Sequence, residues 1–503
     1  MSGCKGRNGQ SQEDIASELQ ALVRASGIPA DTSAEAEIRG AMKNLDAYNE
    51  NDGGNAAMFV DRYNEIIRYI HALESWFIWD GNRWLPDAVE GIHQLAWQLS
   101  NELVADSVNG PGRRDEYKPR RGVDLGRRNK IESMLWLARS DPRVVIKREE
   151  IDVDNFLLGV RNGVVDLRTG QRRDGRKGDF ITKSCGCAYQ SDALCPRWLS
   201  FLEEIFKGET NLVQYMQRIV GYTLSGVTYD QSLFFLYGSG ANGKSTFIEV
   251  LQALLGDYAR SASPNILTLT KYVKEPLDEI AALDGFRMIA IAETGDTRLA
   301  EVRIKQLTGG DRVTGKAHYK APMDFEPKFK MWIFGNSKPE IHGVDYGMWR
   351  RIRLIPFNVQ IPAGEQDPKL KEKLLAELPG ILNWAIEGAR LWQAEGKLSP
   401  PTCVTTATDA YREEQDILLD FIDEKIEKTT GDLQHKKLYS AYKDWHAEGS
   451  SERPFSSKKL ARMFRDRGYK DFSGPARALC WSKIGLKVSE NSILQQTSRE
   501  RLL

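Results

Sequence analysis

Apolar and polar positions along the chain separate strand-like from helix-like stretches. Continuous apolar runs bounded by polar residues or glycine are typical of strands that are buried on both faces of a sheet. Four such runs are QSLFFLYG at 231–238, RMIAIAE at 287–293, KMWIFGN at 330–336 and RIRLIPF at 351–357. Because helical patterns separate the first run from the second, the sequence predicts an α/β fold around a mostly parallel sheet.

Helical spacing of apolar residues extends to both sides of these runs. It covers 61–105, 198–224 and 374–392, and it returns in three patterns after a proline pair at 400 and 401. Two segments interrupt the first half of the chain, because their aromatic or β-branched residues flank glycine turn signals. They are a predicted hairpin at 76–87 around Asp80-Gly81, and a short β segment at 156–171 with turns at Asn162-Gly163 and Thr169-Gly170.

These patterns divide the chain into four predicted regions. They are an acidic, helical or mobile leader at 1–60, an α+β N-terminal domain at 61–200, the α/β core with flanking helices at 201–400, and a C-terminal domain at 401–503. The length of 503 residues suits about three domains of ordinary size.

Composition narrows the class of protein. The chain is 41% hydrophobic and 28% charged, which is a globular composition, and 70 basic residues balance 70 acidic ones. Whole-chain charge therefore favours neither nucleic acid nor a membrane as partner. No apolar run approaches the ~20 residues that cross a bilayer, and the N-terminus lacks the apolar core of a signal peptide. We expect a cytoplasmic protein without a membrane partner.

Charge is concentrated locally in two segments. Residues 111–130 carry 8 basic and 3 acidic side chains, and residues 453–470 carry 7 basic and 1 acidic. The first segment either contacts phosphates or forms a solvated loop.

The second basic segment has the spacing of an amphipathic helix. Leu460, Met463 and Phe464 would form its buried side, and Ser456 or Ser457 is a natural N-cap. It resembles a winged-helix domain, in which a basic recognition helix docks on duplex DNA. The alternative is a solvated charged helix in a cap that stabilises a ring. The candidate DNA contacts are Lys458, Lys459 and Arg462.

Three cysteines lie close together in the sequence, at Cys185, Cys187 and Cys195. A metal site there would need a fourth ligand that the sequence does not identify, so reduced thiols are the favoured interpretation.

The strongest chemical motif is GSGANGKST, which fits the phosphate-binding pattern G-x-x-x-x-G-K-[ST] between a predicted strand and a predicted helix. Glycines let the backbone approach phosphates closely, and the helix N-terminus supplies N–H donors. Lys244 would neutralise the outer phosphates, and the Ser245 hydroxyl would ligate Mg²⁺. The predicted ATP-binding residues are Gly238, Ser239, Gly240, Ala241, Asn242, Gly243, Lys244, Ser245 and Thr246.

Polar residues at the ends of the following apolar runs complete a candidate hydrolytic site. Glu293 ends the second run and is the candidate acid that holds the metal and polarises water, with Asp296 as additional help. Asn336 ends the third run and would orient the lytic water. Arg350 precedes the last run and Arg351 begins it, and a guanidinium there could reach the ATP of an adjacent subunit as an arginine finger.

The succession of motifs resembles superfamily 3 helicases, a branch of the AAA+ ATPases, and within it the phage and plasmid primase-helicase type that includes the poxvirus enzyme. The motifs are GSGANGKST, RMIAIAETGD, IKQLTGGDRVTGKAHYK, FKMWIFGNSKPEI and GMWRRIRLIPF. The resemblance extends to NGVVDLRTG, QRIVGYTLSG and GILNWAIEGA, and so covers about 77–393. It implies an AAA+ P-loop core between an α+β N-terminal domain and a C-terminal helical or winged-helix domain.

The same resemblance implies roles for individual residues. Lys244 and Ser245 would bind phosphate and Mg²⁺, Glu293 would be the Walker B acid, Asn336 the sensor, and Arg351 or Arg350 the finger. It also implies a homo-hexameric ring, in which a β-hairpin points cations into a central channel. The hairpin residues are Lys316, His318 and Lys320.

A primase domain, frequent in this family, is not expected here. Asp152 and Asp154 offer paired carboxylates, but no apolar strand precedes them and no suitable histidine follows before His318.

The expected function is an ATP-dependent replicative DNA helicase of a phage, plasmid or integrated element, in a bacterial cytoplasm. It would use ATP and Mg²⁺, translocate 3′ to 5′ on single-stranded or forked DNA, and cooperate with a separate primase, polymerase or initiator. The alternatives are an origin-binding initiator ATPase and a DNA-packaging or remodelling AAA+ motor.

Overall fold

The computed structural model of the protein describes residues 47–109, 117–269, 276–292, 298–316, 321–341, 346–449, 454–474 and 477–487. Most of the predicted leader lies outside these ranges.

The first structured region combines four helices with a small antiparallel sheet. Its aromatic hairpin is confirmed, because Trp79 pairs with Trp84 across the Asp80-Gly81 turn. Phe59, Leu99 and Met134 are fully buried between the helices. The elements are α1 (Asp52–Tyr63), β1 (Ile67–Ile70), β2 (Ser75–Trp79), β3 (Trp84–Pro86), α2 (Gly91–Asn109), α3 (Tyr117–Leu125) and α4 (Arg128–Ala138).

The basic segment at 111–130 is helical where the structure describes it. The loop interpretation is wrong for α3 and for the start of α4, because apolar residues such as Leu125 are buried against α2. Residues 110–116 lie outside the described part of the chain.

The predicted short β segment is a three-stranded antiparallel meander. It consists of β4 (Leu157–Val160), β5 (Gly163–Asp166) and β6 (Gln171–Arg173). Val160 pairs with Gly163, so the turn residues are Arg161 and Asn162, one position earlier than the sequence suggested. Gly163 has φ 144°, and a Cβ there would lie 2.3 Å from the carbonyl oxygen of Arg173, so only glycine fits.

The core is a five-stranded sheet in which every pairing is parallel, in the order β13-β7-β12-β9-β8. All four predicted buried strands are confirmed. The fifth, β8, was missed because Ala259–Ala262 contains arginine and serine at a sheet edge instead of an apolar run. The strands are β7 (Leu233–Tyr237), β8 (Ala259–Ala262), β9 (Met288–Ala292), β12 (Lys330–Gly335) and β13 (Ile352–Pro356).

Helices cover both faces of this sheet, which explains the continuous apolar runs. Alternate residues enter different clusters: Phe234 packs with Trp198 and Phe247 on one face, and Phe235 packs with Ile304 on the other. The helices are α5 (Pro196–Phe206), α6 (Thr210–Leu224), α7 (Lys244–Leu255), α8 (Leu277–Ala281), α9 (Glu301–Gly309), α10 (Tyr346–Trp349), α11 (Leu370–Ala376), α12 (Leu378–Glu395) and α13 (Thr402–Glu414).

A two-stranded antiparallel hairpin is inserted before β12. It consists of β10 (Val313–Gly315) and β11 (Met323–Phe325). Gly315 lies against α8, where a Cβ would come within 2.6 Å of the Ala281 backbone.

The C-terminal region alternates helices with a three-stranded antiparallel sheet of order β14-β16-β15. The predicted buried side of its basic helix is confirmed, since Leu460, Met463 and Phe464 are buried. Ser456 is the N-cap and accepts a hydrogen bond from the Lys459 amide at 3.3 Å. The elements are α14 (Ile417–Lys425), β14 (Ile426–Gln434), α15 (His435–Gly449), α16 (Ser457–Asp466), β15 (Asp471–Ser473) and β16 (Leu479–Leu486).

The clustered cysteines are buried thiols. Burial raises the pKa of Cys187 and of Cys195 to about 11 each, and no grouping of three or more His, Cys, Asp or Glu with metal-site geometry occurs among the described residues. Within the described ranges, every helix is too short or too polar to cross a membrane.

Candidate functional site

The GSGANGKST motif forms the loop between β7 and α7. Its backbone has positive φ angles of 101° at Gly240, 48° at Ala241 and 83° at Gly243. A Cβ at Gly240 would meet nothing within 4 Å, so this part of the loop borders open space. Because α7 begins at Lys244, the first amide N–H groups of the helix lack intrahelical acceptors and are available to an anion at the loop.

Within the described part of the chain, Lys244 donates to oxygen acceptors of three residues at this loop. Its ammonium donates to the Gly238 carbonyl at 2.8 Å, to Oδ1 of Asn242 at 2.9 Å and to Oδ1 of Asn336 at 3.0 Å. The lysine is only 5% exposed. Phosphate oxygens would be stronger acceptors than these neutral groups, because a hydrogen bond between two charged partners is shorter and stronger.

Asn242 connects the loop to the segment that follows β13. Its amide donates to the Phe357 carbonyl at 3.1 Å, while its oxygen accepts from Lys244. A second link joins the Ile361 amide to the Ala241 carbonyl at 2.8 Å. The sequence placed Asn242 among nucleotide contacts, but it did not reveal this buried positioning contact.

The exposed hydroxyl in the first turn of α7 belongs to Ser245. Ser239 is also exposed, and Thr246 is half-buried. A serine oxygen beside a phosphate-binding loop is the ligand type that Mg²⁺ accepts, so this part of the site fits the expected ion.

The carboxyl ends of three parallel strands meet at the loop. Gly335 of β12 pairs with Tyr237 of β7, and Phe334 pairs with Ala292 of β9. Asn336 directly follows β12, which is why its side chain reaches Lys244. Glu293 and Asp296 follow β9, but both lie outside the described residues.

The two candidate finger residues face different surroundings. Arg351 is 8% exposed, and its guanidinium donates to Thr308 at 3.1 Å and to Gln231 at 3.1 Å within the same chain. Arg350 is exposed and also donates to the Gln231 side chain. Gln231 therefore accepts from both arginines, a connection over about 120 residues that no local pattern signals.

The predicted channel hairpin is partly described. Lys316 is exposed at the end of β10, and its amide donates to the Leu277 carbonyl at 2.8 Å. His318 and Lys320 lie outside the described residues. The hairpin strands themselves are confirmed.

The basic residues of α16 differ in their surroundings. Lys458 and Arg462 are exposed, and the Arg462 side chain is 82% exposed. Lys459 is also exposed, but its ammonium lies 4.1 Å from the Phe455 ring centroid. Burial and the charge of Arg298 lower the pKa of Lys459, while the charge of Glu301 opposes this shift.

The paired carboxylates considered for priming are used in local contacts. Asp152 accepts from the Thr182 amide at 2.9 Å, and Asp154 forms an ion pair with Arg168 at 2.8 Å.

Two protein families match successive parts of the chain, one in the N-terminal region and one in the sheet core. A family described as "D5 N terminal like" matches residues 56–207, and a family of unknown function (DUF5906) matches residues 236–351. A protein of Acanthamoeba polyphaga mimivirus, provisionally named helicase L207/L206, is 29% identical over 343 residues, which cover 63% of this chain and 36% of that protein. The Fowlpox virus protein named primase D5 is 29% identical over 228 residues, which cover 42% of this chain and 28% of that protein. These matches make the chain similar to viral proteins of the D5 primase-helicase type.

The chain matches only about a third of the length of these viral relatives. A solved structure described as the apo C-terminal region of NrS-1 is also similar, with a TM-score of 0.49 at 10% identity. It covers 87% of this chain and 100% of that one.

Proposed function

We propose that the protein is an ATP-dependent replicative DNA helicase with an AAA+ P-loop core. In this proposal it belongs to a phage, plasmid or integrated element and works as a hexameric ring that translocates 3′ to 5′ on single-stranded DNA. The observation that carries the proposal is the contact between Lys244 and Asn336 at 3.0 Å, which joins the phosphate-binding loop to the end of a neighbouring parallel strand. This is where a phosphoryl group and an attacking water would meet.

Each residue at the sheet edge has a proposed task. The amides at the start of α7 and the Lys244 ammonium would bind the outer phosphates of ATP. Asn336 would orient the attacking water, and Glu293 would polarise it. Ser245 and Glu293 would hold Mg²⁺, which neutralises phosphate charge when bound.

The neighbouring subunit would complete the site with an arginine. We assign this finger to Arg350, because Arg350 is exposed whereas Arg351 is buried in contacts to Thr308 and Gln231 of its own chain. Gln231 would position Arg350 through their hydrogen bond. A finger of this kind stabilises the charge that develops on the transferred phosphoryl group.

Two surfaces are proposed to bind DNA. The hairpin formed by β10 and β11 would place Lys316, His318 and Lys320 along a single strand in the channel. The exposed residues of α16, Lys458 and Arg462, would contact duplex DNA.

Unwinding of forked DNA by the purified chain tests the proposal. We expect strand displacement that requires ATP and is lost in Lys244→Ala. The α16 surface favours a second candidate, an origin-binding initiator, because a basic helix beside a small antiparallel sheet suits duplex binding. An initiator would bind duplex DNA and hydrolyse ATP but leave the fork intact.

A further inference from the structure

Helices α2 and α4 of the N-terminal region form a surface with two exposed tryptophans. Trp97 of α2 is 44% exposed and Trp136 of α4 is 61% exposed. Large aromatic side chains are usually buried in helices of a small domain, and the proposed helicase mechanism uses neither tryptophan.

The two tryptophans belong to the same face. His93 of α2 lies 3.7 Å from Glu132 of α4, so these two positions face each other across the helix pair. Trp97 follows His93 by four residues and Trp136 follows Glu132 by four residues, which places each one turn along the same side of its helix.

The helices run in opposite directions. Gly126, just before α4, lies against Ser100, whereas Glu132 lies near His93. The tryptophans therefore lie on opposite sides of the His93–Glu132 contact. Each is four residues from it, so at 1.5 Å per residue they are about 12 Å apart along the helix axes. A stacked single strand advances about 3.4 Å per nucleotide, so this distance spans roughly three to four nucleotides.

Two arginines of the α4 region lie beside these positions. The Arg128 side chain is 93% exposed one turn before Glu132, and the Arg139 guanidinium lies 5.0 Å from the Trp136 ring centroid. The face thus combines flat aromatic rings with cations. In proteins that bind single-stranded nucleic acids, such rings stack on bases and such cations contact the phosphates.

We propose that the face between α2 and α4 is a single-stranded DNA binding site in which Trp97 and Trp136 stack on bases and Arg128 and Arg139 contact the backbone. This site is separate from the channel hairpin and from α16. It would hold the strand outside the ATPase core, before or after the central channel.

Photocross-linking locates the site directly. The full chain is mixed with an oligo-dT that carries 5-iodouracil, without ATP, irradiated and digested, and the cross-linked peptides are identified by mass spectrometry. We expect cross-links to peptides that contain Trp97 or Trp136. Cross-links found only in 313–325 or in α16 would overturn the proposal.

Affinity for unmodified oligo-dT provides the second measurement. Trp97→Ala and Trp136→Ala should each weaken binding by about fivefold or more, because one stacked base contributes at least ~1 kcal/mol. Trp97→Phe and Trp136→Phe should retain most of the affinity, and Leu194→Ala, at another exposed apolar position, should leave it unchanged.

Unchanged affinity in the double alanine variant would contradict the proposal and would assign the face to a protein partner instead. If that variant does not fold, Arg128→Glu with Arg139→Glu provides the same comparison with both rings retained. The result is independent of unwinding: a chain that fails to separate a fork but cross-links through Trp97 or Trp136 refutes the helicase proposal and retains this site.

Discussion

The sheet edge at the GSGANGKST loop and the basic helix α16 were both predicted from short motifs, but their side chains are specified in different ways. At the sheet edge, the loop conformation and the parallel register bring Lys244, Asn242 and Asn336 together. On α16, the pattern predicts the buried side, but Lys459 is directed toward Phe455 while Arg462 faces solvent. A motif that constrains the backbone therefore predicts which residues lie close together, whereas an amphipathic pattern predicts only a face.

The largest expected loss of ATP turnover concerns the proposed arginine finger at the sheet edge. Arg350→Ala should lower ATP turnover by about 10³-fold or more, because an arginine finger contributes that much to phosphoryl transfer. ATP affinity should stay close to wild type, as measured by nucleotide binding at equilibrium. Arg351→Ala should instead lower the melting temperature, because it removes the hydrogen bonds that the buried Arg351 donates to Thr308 and Gln231. A fully stable Arg351→Ala with the larger loss of turnover would reverse the assignment.

At the sheet edge, Lys244→Ala should reduce turnover by at least about 100-fold, the usual cost of removing one preorganised charge-stabilising donor. Steady-state ATPase measurements are sufficient. Lys371→Ala is a suitable control, since this exposed lysine only forms a surface ion pair with Glu249. Equal losses in both variants would mean that the loop is not the hydrolytic site.

A smaller loss is expected for the positioning residue. Asn242→Ala removes one hydrogen bond to Phe357 and one to Lys244, each worth about 1 kcal/mol. We expect ATP affinity to fall about tenfold with a lesser change in kcat, measured by titration and by steady-state kinetics. A pure loss of kcat would show that Asn242 contacts the transition state instead.

The smallest effects should separate the residues of α16. Lys458→Ala and Arg462→Ala should each reduce the salt dependence of duplex binding by about one unit of slope, as expected for one phosphate contact. Lys459→Ala should change the slope less, because its ammonium lies over Phe455 and near Glu301. Equal slopes for all three variants would place Lys459 on the same DNA-facing side.

The parallel sheet and its motif loop were predictable because the signals are local. An apolar run flanked by glycine predicts a buried strand, and the loop motif defines both its own conformation and the helix that follows. The edge strand β8 was not predictable, since Arg260 and Ser261 make it resemble a loop.

Contacts between distant segments could not be predicted from local patterns. Gln231 accepts from Arg350 and Arg351 because β13 lies beside β7 in the sheet, and only the sheet order brings these residues together. The helical structure of the basic segment was missed for a similar reason. Its few apolar residues, such as Leu125, are buried by α2, so packing rather than periodicity stabilises α3.

Mixing two inactive variants tests the central claim most directly. In the proposed ring, Lys244→Ala damages the phosphate-binding side of each site and Arg350→Ala damages the finger that its neighbour provides. Mixed subunits would restore some sites in which both sides are intact. We expect ATPase activity in the mixture that clearly exceeds the sum of the two variants measured alone. Activity equal to that sum, with mixed assembly verified, would contradict a site shared between subunits.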